Sequence, residues 1–376
     1  MKKIIFLLLS FSLISCNREE ITIDASSKAN ILRIIEAEKG IQKMNAISFA
    51  VVKDDEILWA DALGEATRTT TATVETRFFI ASISKAVAAI AAMQLVESNA
   101  LDLDVDINNY LPFRVTNPKH PNIPMTIRML LNHSTSISDA IYYTIDWACW
   151  NEDCPITLAQ FLSDLLATNG QFYANRTFFD YAPGEKSNYS NIGYALLGYI
   201  VERVSNQPFD EYCQQNIFTP LGMSKTTFRL KNVPLSELAI PFSPTFTPSK
   251  PYYTLPDYPG GGVITTPTDF SKFLRMLINK GTFEGTQIIS SQTLSLMQQR
   301  TLSMVRGGLA FDFGLGMYYY NFNGTVLYGH GGGDQGITST MAYDIEKRVG
   351  VIFVTNTTLI NPDLIVYSLY KFGAAQ

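Results

Sequence analysis

A chain of 376 residues, 46% hydrophobic and 17% charged, has the apolar content for a sizeable core and the length to divide it between two lobes, which argues against a disordered protein. Its net charge of −5, with no basic patch, argues against a nucleic-acid partner. Only three histidines occur, none in a His-Glu-x-x-His or Cys/His cluster, so neither a metal site nor a cofactor is expected.

At the start of the chain, Lys2 and Lys3 precede an apolar run over residues 4–14, too short to span a bilayer and shaped like a signal-peptide core. It ends in Leu13-Ile14-Ser15-Cys16, which resembles the lipobox of bacterial lipoproteins. That resemblance implies a lipoprotein signal peptide over residues 1–15, lipidation of Cys16, a polar tether over 16–28, and a body anchored to the cell envelope on its periplasmic or outer-membrane face. An ordinary secretory leader with a chance cysteine is the alternative. Export permits disulfides, and Cys149 and Cys154 are spaced to close a small loop; Cys213 reads as a buried apolar residue.

Residues 31–39 have helical periodicity and run into Gly40, a plausible C-cap. Residues 47–52 and 56–61 flank the polar turn Lys53-Asp54-Asp55 and predict a β-hairpin. After the aromatic approach Phe78-Phe79, a stretch rich in Ala, Ile, Met and Leu predicts a helix from about Ser82 to Val96. The alternating acids of residues 101–106 lack the Gly and closing Glu of a calcium loop and read as a solvated turn. From 100 to 255 the pattern is mostly helical, over 126–131, 158–166, 192–204 and 209–218. An aromatic section around Tyr142, Tyr143, Trp147, Trp150 and Phe172 to Tyr181 reads as local core that can also wall a pocket.

The last third returns to strands over 311–320, 325–328, 337–343 and 348–355, with helices over 268–279, 290–299 and 364–372. Such an order predicts an α+β fold, with one antiparallel sheet built from both chain ends and flanked by helices. Residues 29–99 and 256–376 would form a discontinuous α/β lobe. Residues 100–255 would be an inserted helical lobe with an aromatic lid.

Three short motifs carry chemistry. In Ser82-Ile83-Ser84-Lys85, residues i and i+3 share a helix face, so an amine meets a hydroxyl where the helix start favours developing negative charge. A second Ser-x-x-Lys, Ser368 to Lys371, has no such companions and reads as structural. Tyr189-Ser190-Asn191 follows the turn Ala182-Pro183-Gly184 and abuts a helix start; the copies at 173–175 and 319–321 lack that placement. Gly329-His330-Gly331-Gly332-Gly333 falls between two predicted strands, where glycine lets a ligand approach a strand edge. The overlapping Gly-x-Gly-x-x-Gly over 331–336 is followed by β-like residues, so it is not a dinucleotide fingerprint.

With these motifs the chain resembles the serine β-lactamases and penicillin-binding proteins, in the branch holding class C β-lactamases, D-aminopeptidases and related esterases. The resemblance implies a β-lactamase/transpeptidase-like fold and a serine hydrolase working through an acyl-enzyme. Ser82 would be the nucleophile, Lys85 its partner in proton transfer and Tyr189 the second member of the base system. Asn191 would orient a substrate amide or Lys85. His330, Gly331, Gly332 and Gly333 would line the substrate, with an oxyanion hole from the N–H groups of Ser82 and Gly333.

Two departures matter. His330-Gly331-Gly332 stands where β-lactamases of this branch carry Lys-Thr-Gly, which favours a D-amino-acid peptide or ester over a β-lactam because neutral imidazole holds a carboxylate poorly. Ser136-Ile137 replaces the expected Ser-Gly. The expected partners are a small-molecule or peptide substrate and, through the lipid, a membrane. The rival readings are a lipid-anchored binding or sensor protein without turnover, and a true β-lactamase. His120 and His133 read as structural.

Overall fold

Residues 24–242, 252–306, 309–322, 324–359 and 361–376 are described by the structure, a computed structural model. The leader, Cys16 and most of the tether expected from the sequence lie outside these residues.

Strands β1 (Ala46–Lys53) and β2 (Glu56–Gly64) form the expected hairpin, but Lys53 pairs with Glu56 and so belongs to the strand. The turn is only Asp54-Asp55, with Asp54 at φ +55°. From the far end of the chain come β3 (Tyr318–Phe322), β4 (Thr325–Asp334), β5 (Ile337–Asp344) and β6 (Val349–Thr355). The sheet order is β3-β4-β5-β6-β1-β2, antiparallel throughout, and its two halves meet where Ile47 faces Thr355 and Lys53 faces Val349. The fold is therefore the α+β arrangement that the sequence predicts.

Strand β1 is buried on both faces because alternate side chains enter different cores. Phe49 and Val51 pack with Ile31 and Ile35 of α1 (Lys28–Ile41) and Leu369 of the terminal helix (Asp363–Ala374). Ala50 and Val52 point the other way, into the core that holds Leu274 and Ile278 of the helix Pro267–Ile278. Helix α2 (Ser84–Glu97) belongs to that second core and is buried almost all round, which its run of Ala, Ile and Met permits. It packs on α3 (Asn191–Ser205).

Several boundaries differ from the sequence reading. Helix α1 runs through Gly40 to Ile41, and Lys43, at φ +53°, turns the chain instead. The strand expected over 311–320 is broken: residues 309–312 pair with 303–306 in a separate ribbon, and only 318–322 join the sheet. Gly316 causes the break, since its φ is +90° and a Cβ there would lie 2.2 Å from that of Ala89. The acidic segment is more than a solvated turn, because Asp104 makes two 2.7 Å bonds to Arg128 and Asp106 caps the turn Ile107–Asn109. Residues 209–218 divide into a short α-helix to Cys213 and a π turn. Cys149 and Cys154 are disulfide-bonded, beside the short pairing of Cys149–Trp150 with Tyr253–Thr254; Cys213 is buried and free.

Candidate active site

The helix expected to begin at Ser82 begins two residues later. Ser82 lies in the single 3₁₀ turn Ala81–Ile83 that feeds α2. Ala81 takes φ +45°, a left-handed conformation that costs an L-residue about 1–3 kcal/mol and persists only where surroundings enforce it. Here they do. The Ser84 hydroxyl donates to the Ala81 carbonyl at 2.7 Å and accepts from the Val263 N–H at 3.0 Å, while Ser339 Oγ donates to the Ile80 carbonyl at 2.7 Å. The Ser82 hydroxyl is thereby presented, partly exposed, at the tip of the turn.

Lys85 is fully buried, and its Nζ donates to Ser82 Oγ at 3.2 Å, Asn191 Oδ1 at 2.8 Å and the Gly260 carbonyl at 2.7 Å. The same nitrogen lies 4.9 Å from the centre of the Tyr189 ring and 5.7 Å from that of Tyr194. Desolvation drives the amine down to about 8, against the pull of the Asp257, Asp139 and Asp334 carboxylates. Burial in turn pushes Asp257 up to about 6, with the Lys85 charge opposing it. A lysine in this state is free to accept a proton at mildly alkaline pH, well below the range of an exposed amine.

Tyr189 and Asn191 stand at the start of α3, where Ser190 is the N-cap and accepts from the Gly193 N–H at 2.9 Å. Asn191 Nδ2 donates to the Tyr143 hydroxyl at 2.9 Å, which leaves Oδ1 facing Lys85. The Tyr189 ring packs on His133, centroids 4.5 Å apart, and His133 Nδ1 accepts from the Ser190 N–H at 3.2 Å.

All four glycines of the third motif lie within β4 rather than between strands. Gly332 backs directly onto the nucleophile turn: a Cβ there would meet the Ile80 carbonyl and Ser339 Oγ at 2.3 Å and the Ser82 nitrogen at 3.1 Å. Gly333 is exposed, with open space where a Cβ would stand. Because β3 stops pairing with β4 at Gly329, the outer edge of β4 is uncovered beyond it. Gly331 donates its N–H to the Tyr318 hydroxyl on that edge, and strand alternation puts the Gly333 N–H on the same side.

His330 departs from expectation. It is 1% exposed, so the imidazole lies beneath the cleft wall rather than on it, 4.6 Å from Tyr318 and 6.3 Å from Tyr189 between ring centres. Its Nδ1 lies 2.6 Å from the Gly331 carbonyl, which fixes the proton there and leaves Nε2 a buried acceptor without a partner. Desolvation keeps the ring neutral, down to about 3.

The structure thus brings Ser82, Lys85, Tyr189, Asn191 and the Gly332-Gly333 edge together. Sequence reasoning missed Asp139, Asp257, Tyr318 and the Gly260 carbonyl. Tyr143 was visible only as one of many aromatics, and the aromatic section divides: Trp147 packs with Phe161 and Phe172 in the core, while Tyr143 reaches the site. The second Ser-x-x-Lys is interior to the terminal helix, Ser368 Oγ bonding the Leu364 carbonyl.

A serine at a helix entrance, a desolvated lysine against it and a tyrosine ring beside the amine, all set at the edge of an antiparallel sheet, form the kind of site that transfers acyl groups to a serine hydroxyl. The sequence model of the β-lactamase family matches residues 31–375, and the chain belongs to that family. It is 30% identical over 295 residues to penicillin-binding protein 4 of Amycolatopsis lactamdurans, spanning 76% of this chain and 73% of that protein. The D-amino acid amidase of Ochrobactrum anthropi SV3, solved with L-phenylalanine, superposes with a TM-score of 0.75 at 21% identity, over 91% of this chain and 98% of that one. The β-lactamase/D-alanine carboxypeptidase of Pseudomonas syringae gives 0.70 at 18% identity, over 91% and 97%. These two likenesses are of fold.

Proposed function

We propose that the protein hydrolyses a D-amino-acid peptide, an ester or a related carbonyl compound through an acyl-enzyme on Ser82. The observation that carries this reading is the buried Lys85 amine 3.2 Å from the Ser82 hydroxyl. Lys85 takes the hydroxyl proton as Oγ attacks the carbonyl carbon, and the oxyanion forms against the N–H groups of Ser82 and Gly333. Tyr189 passes a proton to the leaving group as the scissile bond breaks. Water, giving its proton to the Tyr189 phenolate, then attacks the ester, and the Lys85 ammonium returns the first proton to Oγ as the acid and free Ser82 are released.

Two features favour a leaving group without a carboxylate. Neutral, buried His330 stands where a lysine would attract one, and the Tyr318 hydroxyl already occupies the Gly331 N–H. β-Lactams are thus a secondary substrate class in this reading. We further propose that Cys16 carries a lipid that holds the protein at the cell envelope.

A fluorophosphonate or penicillin-type probe tests the mechanism: it should mark the wild type and not Ser82→Ala. If folded wild-type protein takes no label, the acyl-enzyme is abandoned for a binding role. A hydrolysis screen over D-aminoacyl amides, small esters and β-lactams then ranks the substrates.

A further inference from the structure

We propose that Asp139 is a positioning residue for this site, gripping the start of α3 so that Asn191 holds Lys85 against Ser82. The inference rests on Ser82 and Lys85 acting as described above. Asp139 is 7% exposed, and its carboxylate accepts from the Ser190 hydroxyl at 2.8 Å, the Asn191 N–H at 2.6 Å and the Ile192 N–H at 3.3 Å. The first N–H groups of a helix have no partner within it. Two of those in α3 are satisfied by a side chain more than fifty residues away, in addition to the cap that Ser190 gives Gly193.

The same strap holds the side chain of residue 191. Asp139 leads within a few residues into the turn Tyr142–Thr144, whose Tyr143 hydroxyl accepts from Asn191 Nδ2. With Nδ2 committed to Tyr143 and its own N–H to Asp139, Asn191 is fixed from two sides, and Oδ1 turns to the Lys85 amine. A chain of short bonds therefore runs from Asp139 through Asn191 to Lys85 and Ser82. An ordinary helix cap would not touch the amine at all. Asp139 acts on it a second way, because its charge is one of three carboxylates that face Lys85, the others being Asp257 and Asp334; His133, His330, Tyr189 and Tyr194 complete the surroundings.

The isosteric Asp139→Asn separates the two effects, read on the full-length protein with a small ester and the fluorophosphonate probe. Misplacing Asn191 and Lys85 should lower kcat about 100-fold. KM should change far less. Removing the negative charge should move the acid limb of the pH–rate profile to lower pH, a change that lost stability alone would not produce. Tyr143→Phe, which keeps the charge, should lower kcat less and leave the limb in place.

Wild-type kcat in Asp139→Asn, or a loss that merely tracks the unfolded fraction with the limb unmoved, overturns the proposal. If Asp139→Asn does not accumulate in folded form, Tyr143→Phe and Ser190→Ala carry the test, and wild-type kcat in both overturns it. Failure of the probe to mark the wild type would instead remove the Ser82 reading beneath it.

Discussion

The Gly260 carbonyl accepts a 2.7 Å hydrogen bond from the Lys85 amine, 175 positions away in the chain. A carbonyl does not titrate, so it holds Nζ beside Ser82 whether or not the amine carries its extra proton. Replacing Lys85 should therefore remove the base without a substitute. Lys85→Ala should slow acylation by the fluorophosphonate probe about 10²–10⁴-fold, and Tyr189→Phe should also fall by orders of magnitude. A wild-type rate in either variant takes that residue out of the mechanism.

The lowered pKa of Lys85 sets the pH dependence. Only the free amine accepts the Ser82 proton, so kcat/KM should rise as pH climbs through about 8 and be lost below it. The Asp257 carboxylate favours the protonated amine, so Asp257→Asn should carry this midpoint to lower pH. A midpoint that does not move in the variant would mean that the two groups are not coupled.

Adjacent glycines should respond oppositely to a methyl group. Gly332→Ala would drive a Cβ to 2.3 Å from the Ile80 carbonyl, forcing the nucleophile turn away from β4 at a cost of about 1–3 kcal/mol and most of the activity. Gly333→Ala meets open space and should keep the melting temperature of the wild type. Thermal melts and probe labelling of the two variants, side by side, check the assignment of each residue to its place on the strand.

If Cys16 is lipidated, Cys16→Ser should move the protein from the membrane fraction to the soluble one and abolish incorporation of a labelled fatty acid. An unchanged distribution would leave only an ordinary secretory leader.

Much of this was legible in the sequence where a residue type and its spacing carry the chemistry. Ser82 and Lys85 share a face because i and i+3 do so in any helical turn, whether it begins as 3₁₀ or α. Asn191 could be placed because a Pro-Gly turn and a helix start bracket it. That the Gly260 carbonyl meets Lys85 was not legible, since a backbone oxygen has no residue type to mark its partner. Asp139 looked like any loop acid, and only the fold shows that it faces the N–H groups of a distant helix. His330 was read by its charge state, which holds, but its depth depends on Tyr318, which arrives from a strand whose start the sequence misplaced.

The pairing of Ile47 with Thr355 has a consequence for how the protein is made. Strand β1 emerges early from the ribosome with β2 and must wait for β6, some three hundred residues later, before its other edge is closed. Until then an apolar ribbon lies bare, a condition that slows folding and invites aggregation. Loss of even the last thirty residues should therefore yield insoluble chains rather than a smaller working enzyme.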